Sequence, residues 1–149
     1  MELFTIPIEP KPQSRPRAGI RGRHATVYED SKMMRWRKDV TEYVKQNYCG
    51  EYFDGAIKID VTFYLKAPQS LSKEPSQRAK EKTRQKYLDF VNELIYVDKK
   101  PDLDNLEKAL YDSISKSEIV WSDDNIIVEH TTRKIYSPNP RMEIRIEGF

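Results

Sequence analysis

Along residues 56–65, Ile57, Ile59, Val61, Phe63 and Leu65 alternate with Lys58, Asp60, Thr62 and Tyr64. That period of two predicts a strand with one buried face. Between Ser31 and Tyr48 the period changes. Met33, Trp36, Val40, Tyr43, Val44 and Tyr48 fall on one helical stripe, with Asp30 or Ser31 placed to cap its start. A second helix is predicted over 104–116, where Leu106, Leu110 and Ile114 share a face. Strands follow at 126–136 and 141–147, separated by a tight turn that Pro138 and Pro140 enforce, and these two are expected to pair as an antiparallel hairpin. Shorter strands are predicted at 2–8 and 25–29. Residues 9–24, with Pro10, Pro12, Pro16, Gly19 and Gly22, are expected to lack regular structure. The polar, proline-marked stretch from 67 to 99 reads as a loop followed by a helix over about 76–93. The elements sum to an α+β fold, a mixed and mainly antiparallel sheet with two or three helices packed on one side. No internal repeat or linker divides the chain, so residues 1–149 are expected to form one domain.

Composition narrows the chemistry. Charged residues make up 34% and the hydrophobic set 38%, and no apolar run approaches the roughly 20 residues that span a bilayer. The first residues, MELFTIPIEP, lack the basic-then-apolar layout of a signal peptide. A cytoplasmic protein without membrane contact is expected. Cys49 is the single cysteine, which excludes an internal disulfide or a cysteine zinc site, and it reads as a half-buried small hydrophobe. With only His24 and His130 available, histidine-based zinc chemistry is disfavoured and carboxylates are left to carry any reaction.

Net charge is only +2, but its distribution is uneven. Lys11, Arg15, Arg17, Arg21 and Arg23 lie between positions 11 and 24 with no acid among them, and six further basic residues lie between Lys73 and Lys86. The acids concentrate between Asp98 and Asp124. Basic flanks around an acidic cluster suit a polyanion held through metal ions.

The segment KKPDLDNLEKALYDSI, followed by VWSDDNII, carries the candidate chemistry. Pro101 disfavours a helical conformation for Lys100. If residues 102–104 remain extended, the Asp102 and Asp104 carboxylates point to one side. Asp123 and Asp124 return about 20 residues later, at a turn that opens the next strand. Such a cluster, free of cysteine and histidine, is a hard-oxygen site suited to Mg²⁺ or Mn²⁺, the setting of metal-assisted phosphoryl transfer. Lys108, four residues after Asp104, shares its helical face and can stabilise charge on a phosphate. A second reading fits the same residues: Asp104 as helix cap, Glu107 as its capping-box partner, and Asp104–Lys108 as a surface pair. A calcium loop of the EF-hand type fails, because Glu107 stands where glycine is needed and Ser113 where glutamate is needed. An Asp-x-Asp phosphatase fails too, since Lys99, Lys100 and Pro101 precede the pair instead of a buried strand.

The same residues carry a family resemblance. KPDLDNLEKALYDSI with WSDDN resembles the signature of the RusA family of Holliday junction resolvases: Asp-x-Asp-Asn-Leu-x-Lys, a later helical Asp, then Asp-Asp. SRPRAG, VYEDSK before a helix and the strand IKIDVTFYL resemble the longer, phage-type members, so the likeness covers nearly the whole chain. The resemblance implies a RusA-like fold, with Asp102, Asp104 and Asp124 as catalytic metal ligands, Asp123 as a neighbouring or occasional ligand, and Lys108 as the catalytic lysine. Asp112 also matches, and is read here as a brace. The segment 67–99 is an insertion relative to compact members.

The activity implied is Mg²⁺-dependent hydrolysis of branched DNA by a homodimer, with Mn²⁺ able to substitute and no organic cofactor. The products would be 5′-phosphate and 3′-hydroxyl ends, in DNA recombination and repair. A nuclease for flaps or other branched DNA, and a DNA-binding module that has lost catalysis, are the competing classes. Arg15, Arg17, Arg21, Arg23, Lys99, Lys100 and Lys134 are candidate phosphate contacts. The 73–86 charge run reads as a solvated helix face, and Trp36 and Trp121 fall where core packing is expected.

Overall fold

The computed structural model describes residues 2–14, 17–21, 24–28 and 30–149; the described side chains are those of residues 2–14 and 30–149. In chain order the elements are β1 (Phe4–Ile6), β2 (Arg17–Arg21), β3 (His24–Tyr28), α1 (Ser31–Asn47), β4 (Ile57–Leu65), α2 (Gln69–Ser72), α3 (Glu81–Val91), α4 (Leu103–Ser117), a 3₁₀ turn (Asp124–Ile126), β5 (Ile127–Tyr136) and β6 (Arg141–Gly148). The fold is α+β, with four α-helices instead of two or three, because the 67–99 stretch contributes both the one-turn α2 and α3. None of the described helices is long and apolar enough to cross a membrane.

The chain divides into two compact units. The first, residues 1–10, 59–100 and 129–147, holds most of a four-stranded sheet in the order β1-β6-β4-β5. The sheet is mixed and mostly antiparallel. β1 pairs antiparallel with β6, setting Phe4 opposite Ile144 and Ile6 opposite Met142. This order corrects the hairpin expected from the last two strands, since β4 lies between β5 and β6. The backbone N–H of Ser137 donates to the carbonyl of Leu65, the last residue of β4, so the short turn straddles the end of that strand. Burial explains which strand lies inside. β6 buries Met142, Ile144 and Ile146, and β4 buries Val61, Thr62 and Phe63 in succession, whereas β5 buries none of its residues. β5 is held by Arg133, whose guanidinium forks onto Asp60 at 2.8 and 3.2 Å and also donates to Thr62 Oγ1 at 2.7 Å.

α3 begins five residues later than the sequence pattern predicts. The carbonyl of Ser76 accepts from the N–H of Ala79 in a separate turn, and the Arg84 guanidinium reaches back to the carbonyls of Gln77 and Ala79. The run of charges before and within α3 is solvated, as expected. Just after α3, Glu93 adopts a left-handed backbone, φ 60°, a costly conformation for a residue with a Cβ. Arg141 holds it there. Its guanidinium donates to both Glu93 oxygens at 2.7 and 3.2 Å and to Glu143 at 3.0 Å, and lies 3.8 Å from the centre of the Tyr64 ring. The segment beyond then joins β5: the N–H of Val97 donates to Lys134 and that of Tyr136 to Ile95.

The second unit, residues 11–58, 101–128 and 148–149, contains the β2–β3 pair, α1, α4 and the 3₁₀ turn. β2 overturns the expectation that residues 9–24 lack regular structure: Arg17–Arg21 pairs antiparallel with His24–Tyr28. α1 is capped by Asp30, whose side chain accepts from the N–H of Lys32, and it buries Met33, Trp36, Val40 and Val44. It packs on α4, where Thr41 Oγ1 donates to the Ser113 carbonyl at 3.0 Å. Cys49 lies beyond the end of α1 and is exposed, not half-buried.

The Glu93–Arg141 pair gives the first prediction. Arg141 hydrogen bonding, the largest influence, holds the Glu93 carboxyl below its ordinary value of 4.5, against the opposing effect of burial. A depressed carboxylate stabilises the fold above the unfolded-state pKa and loses that contribution as pH falls through the folded value. Glu93→Gln is therefore expected to lower stability by about 1–3 kcal/mol at neutral pH. In urea denaturation the gap to wild type should close on acidification below the ordinary glutamate range. A gap that persists unchanged in acid would assign the effect to packing.

Candidate active site

α4 begins two residues after Pro101, beyond a bend over Lys99–Pro101. Asp102 occupies the N-cap position with extended backbone, φ −72° and ψ 143°, and the helix opens with the N–H of Leu106 donating to the Asp102 carbonyl. Leu103 and Asp104 are already helical, so the two carboxylates are not carried on one extended run. The capping reading is not realised either. The N-cap is Asp102 and not Asp104, and the Asp102 side chain makes no capping hydrogen bond. An aspartate at this position ordinarily accepts from the second or third N–H of the helix. Here its carboxylate is exposed and unspent. Asp104, also exposed, accepts from its neighbour Asn105 N–H at 2.9 Å.

From Asp104 a ridge at four-residue spacing runs through Lys108, Asp112 and Lys116, while Leu106, Ala109, Leu110, Ser113, Ile114 and Ser117 are buried. Lys108 is exposed, and among the described residues it forms no ion pair, so the ordinary Asp104–Lys108 surface pair is absent. Asp112 lies 3.6 Å from the Arg37 guanidinium of α1.

The second carboxylate pair is set by a buried aromatic. Trp121 is 1% exposed, its Nε1 donates to Ser115 Oγ at 2.8 Å, and its ring meets Tyr111 edge-on at 6.2 Å. On either side of it, the N–H of Phe53 donates to the Val120 carbonyl and the N–H of Ser122 to the Phe53 carbonyl. The chain then turns over Asp123 and Asp124 against α4. The Asp124 carboxyl is pushed above its ordinary value by burial first, then by the hydrogen bond and charge of Asp123, and then by the charge of Asp112. Asp112 and Asp123 thus each lie within electrostatic reach of Asp124, and Asp102 and Asp104 stand at the start of α4.

Among the described residues no group of three or more His, Cys, Asp or Glu stands arranged to hold a metal ion. The residues nonetheless fit a hard divalent cation in kind: the donors are all oxygens, and the Asp124 carboxyl, raised first by burial, is raised further by the neighbouring negative charge of Asp123 and Asp112.

Two residues that the sequence reading did not single out support this region. The N–H of Gln13 donates to the Asn105 carbonyl in the first turn of α4, and its Oε1 accepts from the Arg37 guanidinium. Arg37 therefore joins α1, α4 and the start of the basic loop. The signal in the sequence was faint: an arginine immediately after Trp36, at the margin of the buried stripe of α1. Of the candidate phosphate contacts, Arg15 and Arg23 lie outside the described residues, as do the side chains of Arg17 and Arg21. Lys99 and Lys100 are exposed. Lys134 Nζ donates to the Lys99 carbonyl at 2.6 Å, which ties β5 to that segment.

The chain is 29% identical over 143 residues to the uncharacterized protein YqaN of Bacillus subtilis (strain 168), covering 96% of this chain and 93% of that one. It is 22% identical over 149 residues to the crossover junction endodeoxyribonuclease RusA of Aquifex aeolicus (strain VF5), covering 100% and 94%. The family described as endodeoxyribonuclease RusA matches residues 7–147, which takes in both aspartate pairs, Lys108 and the segment 67–99. The chain belongs to the RusA endodeoxyribonuclease family.

Proposed function

We propose that this chain is a structure-selective DNA endonuclease that resolves Holliday junctions by Mg²⁺-dependent hydrolysis, with Mn²⁺ able to substitute. The observation that carries this reading is the Asp102 carboxylate, which stands at a helix N-cap and does no capping. A membership in a nuclease family gives that unspent charge a use.

In this reading Asp102, Asp104 and Asp124 hold the metal, and Asp123 assists. When bound, the ion supplies the charge that neutralises the scissile phosphate and acidifies the attacking water. The chain's own residues do the rest. Asp124, rigidly carried beside Trp121, orients the water's approach. The exposed Lys108 ammonium reaches a non-bridging phosphate oxygen and stabilises the negative charge that builds there. Cleavage leaves a 5′-phosphate and a 3′-hydroxyl.

A C₂ homodimer would present two such sites to the opposite strands of a near two-fold junction. Arg15, Arg17, Arg21, Arg23, Lys99, Lys100 and Lys134 would contact phosphates and position the arms. The working compartment is the cytoplasm, and the process is recombination and repair of DNA.

Three predictions test this. Cleavage of a synthetic four-way junction is expected with Mg²⁺ or Mn²⁺ and only weakly with Ca²⁺, whose looser coordination supports binding more than turnover; full activity in excess chelator would sink the metal mechanism. Asp102→Asn and Asp104→Asn should each abolish cutting while keeping junction binding and helical circular dichroism. Asparagine is as good an N-cap as aspartate, so near wild-type cleavage by either variant would remove that residue from the ligand set. Lys108→Ala should melt within a few degrees of wild type and cut on the order of 10²–10³ more slowly in single turnover. An exposed helix pair is worth only about 0.3–0.5 kcal/mol of stability and nothing in rate, so a Lys108→Ala enzyme at full speed would return the residue to the surface.

A further inference from the structure

The ridge on α4 does not stop at the candidate ligands. Asp112, the third member of the ridge, pairs with Arg37 at 3.6 Å. Beyond that pair, α1 and α4 enclose a groove of about 310 Å³. Its lining includes Arg37, Lys38, Thr41, Glu42 and Lys45 from α1, and Lys116 from α4. Lys116 is the next member of the ridge after Asp112. At about 1.5 Å per residue it lies roughly 18 Å along the axis from Asp104.

The groove is electropositive for identifiable reasons. Lys38, Lys45 and Lys116 are exposed, and among the described residues none of them forms an ion pair. Arg37 is largely covered and paired with Asp112, so that carboxylate's charge is matched beside the groove. Glu42 is the opposing charge. Thr41 fixes the two walls through its bond to the Ser113 carbonyl. The three lysines are spread over about two turns of α1 and the end of α4, an extended row of point charges without an enclosed cavity. That form suits a repeating anion and not a single small one. Lysines of this kind make contacts independent of base sequence.

We propose that this groove is a phosphodiester-binding track that receives one arm of the DNA as its backbone leaves the carboxylate site. The inference rests on the nuclease reading above and adds to it a binding surface on α1 and the C-terminal half of α4. The strand runs along the α4 ridge, from Asp104 past Lys108, and meets the lysines beyond Asp112. Glu42 weakens the contact.

The test is the salt dependence of DNA binding in chelator, measured by fluorescence anisotropy with a synthetic four-way junction and a linear duplex of matched sequence. The variant Lys38→Ala/Lys45→Ala/Lys116→Ala is expected to bind the junction at least tenfold more weakly at low salt. Its slope of log affinity against log salt should flatten by about 2–3, near 0.9 for each lost phosphate contact. Replacing the same three lysines by arginine should keep the slope, and Glu42→Gln should tighten binding. The single variants Lys45→Ala and Lys116→Ala should each remove about one unit of slope, which keeps the test open if the triple variant melts early. A folded triple variant with the wild-type slope overturns the proposal. Cleavage of the junction by wild type in Mg²⁺ is measured separately. Its absence, alongside a flattened slope in the triple variant, refutes the nuclease reading and leaves the track standing as a DNA site; full cleavage with an unchanged slope refutes the track alone.

Discussion

The burial of Trp121 against α4 is the constraint on which the candidate site depends. Five aspartates lie along one helix and the turn that follows it. The apolar side of α4 sets their backbone positions: Leu106, Leu110 and Ile114 are fully or almost fully buried, and Trp121 is locked between Ser115 and Tyr111. Burial is also the largest cause of the raised Asp124 pKa. Arg37 pairs with Asp112, and Asp102 and Asp104 stand at the N-terminal end of α4, where the helix dipole favours negative charge.

Much of this was legible in one sequence because it is local. The period-two run of β4 and the stripes of α1 and α4 each follow from neighbours a few positions apart, and their boundaries shift by only a residue or two. The aspartates were legible because Asp-x-Asp followed by a lysine one turn on is an unusual use of residues. What failed was non-local. The turn at Ser137–Pro140 is short enough for a hairpin, yet β4 separates β5 from β6, and only the complete lack of buried residues on β5 marks it as an edge. β2 was hidden by the prolines and glycines around it, which read as loop although five residues between them pair. Arg37 could not be assigned a partner, because Gln13 and Asp112 lie 24 and 75 positions away. The same limit applies to the N-cap: the sequence puts an aspartate near it but does not say whether the side chain turns back to the helix.

The segment 67–99 has its own anchor. Its anchor, the Arg141 network with Glu93, Glu143 and Tyr64, lies wholly within the unit that contains most of the sheet, whereas the aspartates and Lys108 all belong to the other unit. Glu93 accepts a left-handed backbone in exchange for two hydrogen bonds to a guanidinium.

The exposed Cys49 has a practical consequence for how this protein is handled. It is the chain's single thiol, and it sits on the surface just past the end of α1. Two chains can oxidise through it into a covalent pair that owes nothing to a folded interface. On a non-reducing gel that species would have the mass of a dimer, so oligomeric state has to be measured in reductant. The same thiol offers one attachment point per chain for a maleimide dye, placing a reporter just beyond the helix that carries Arg37.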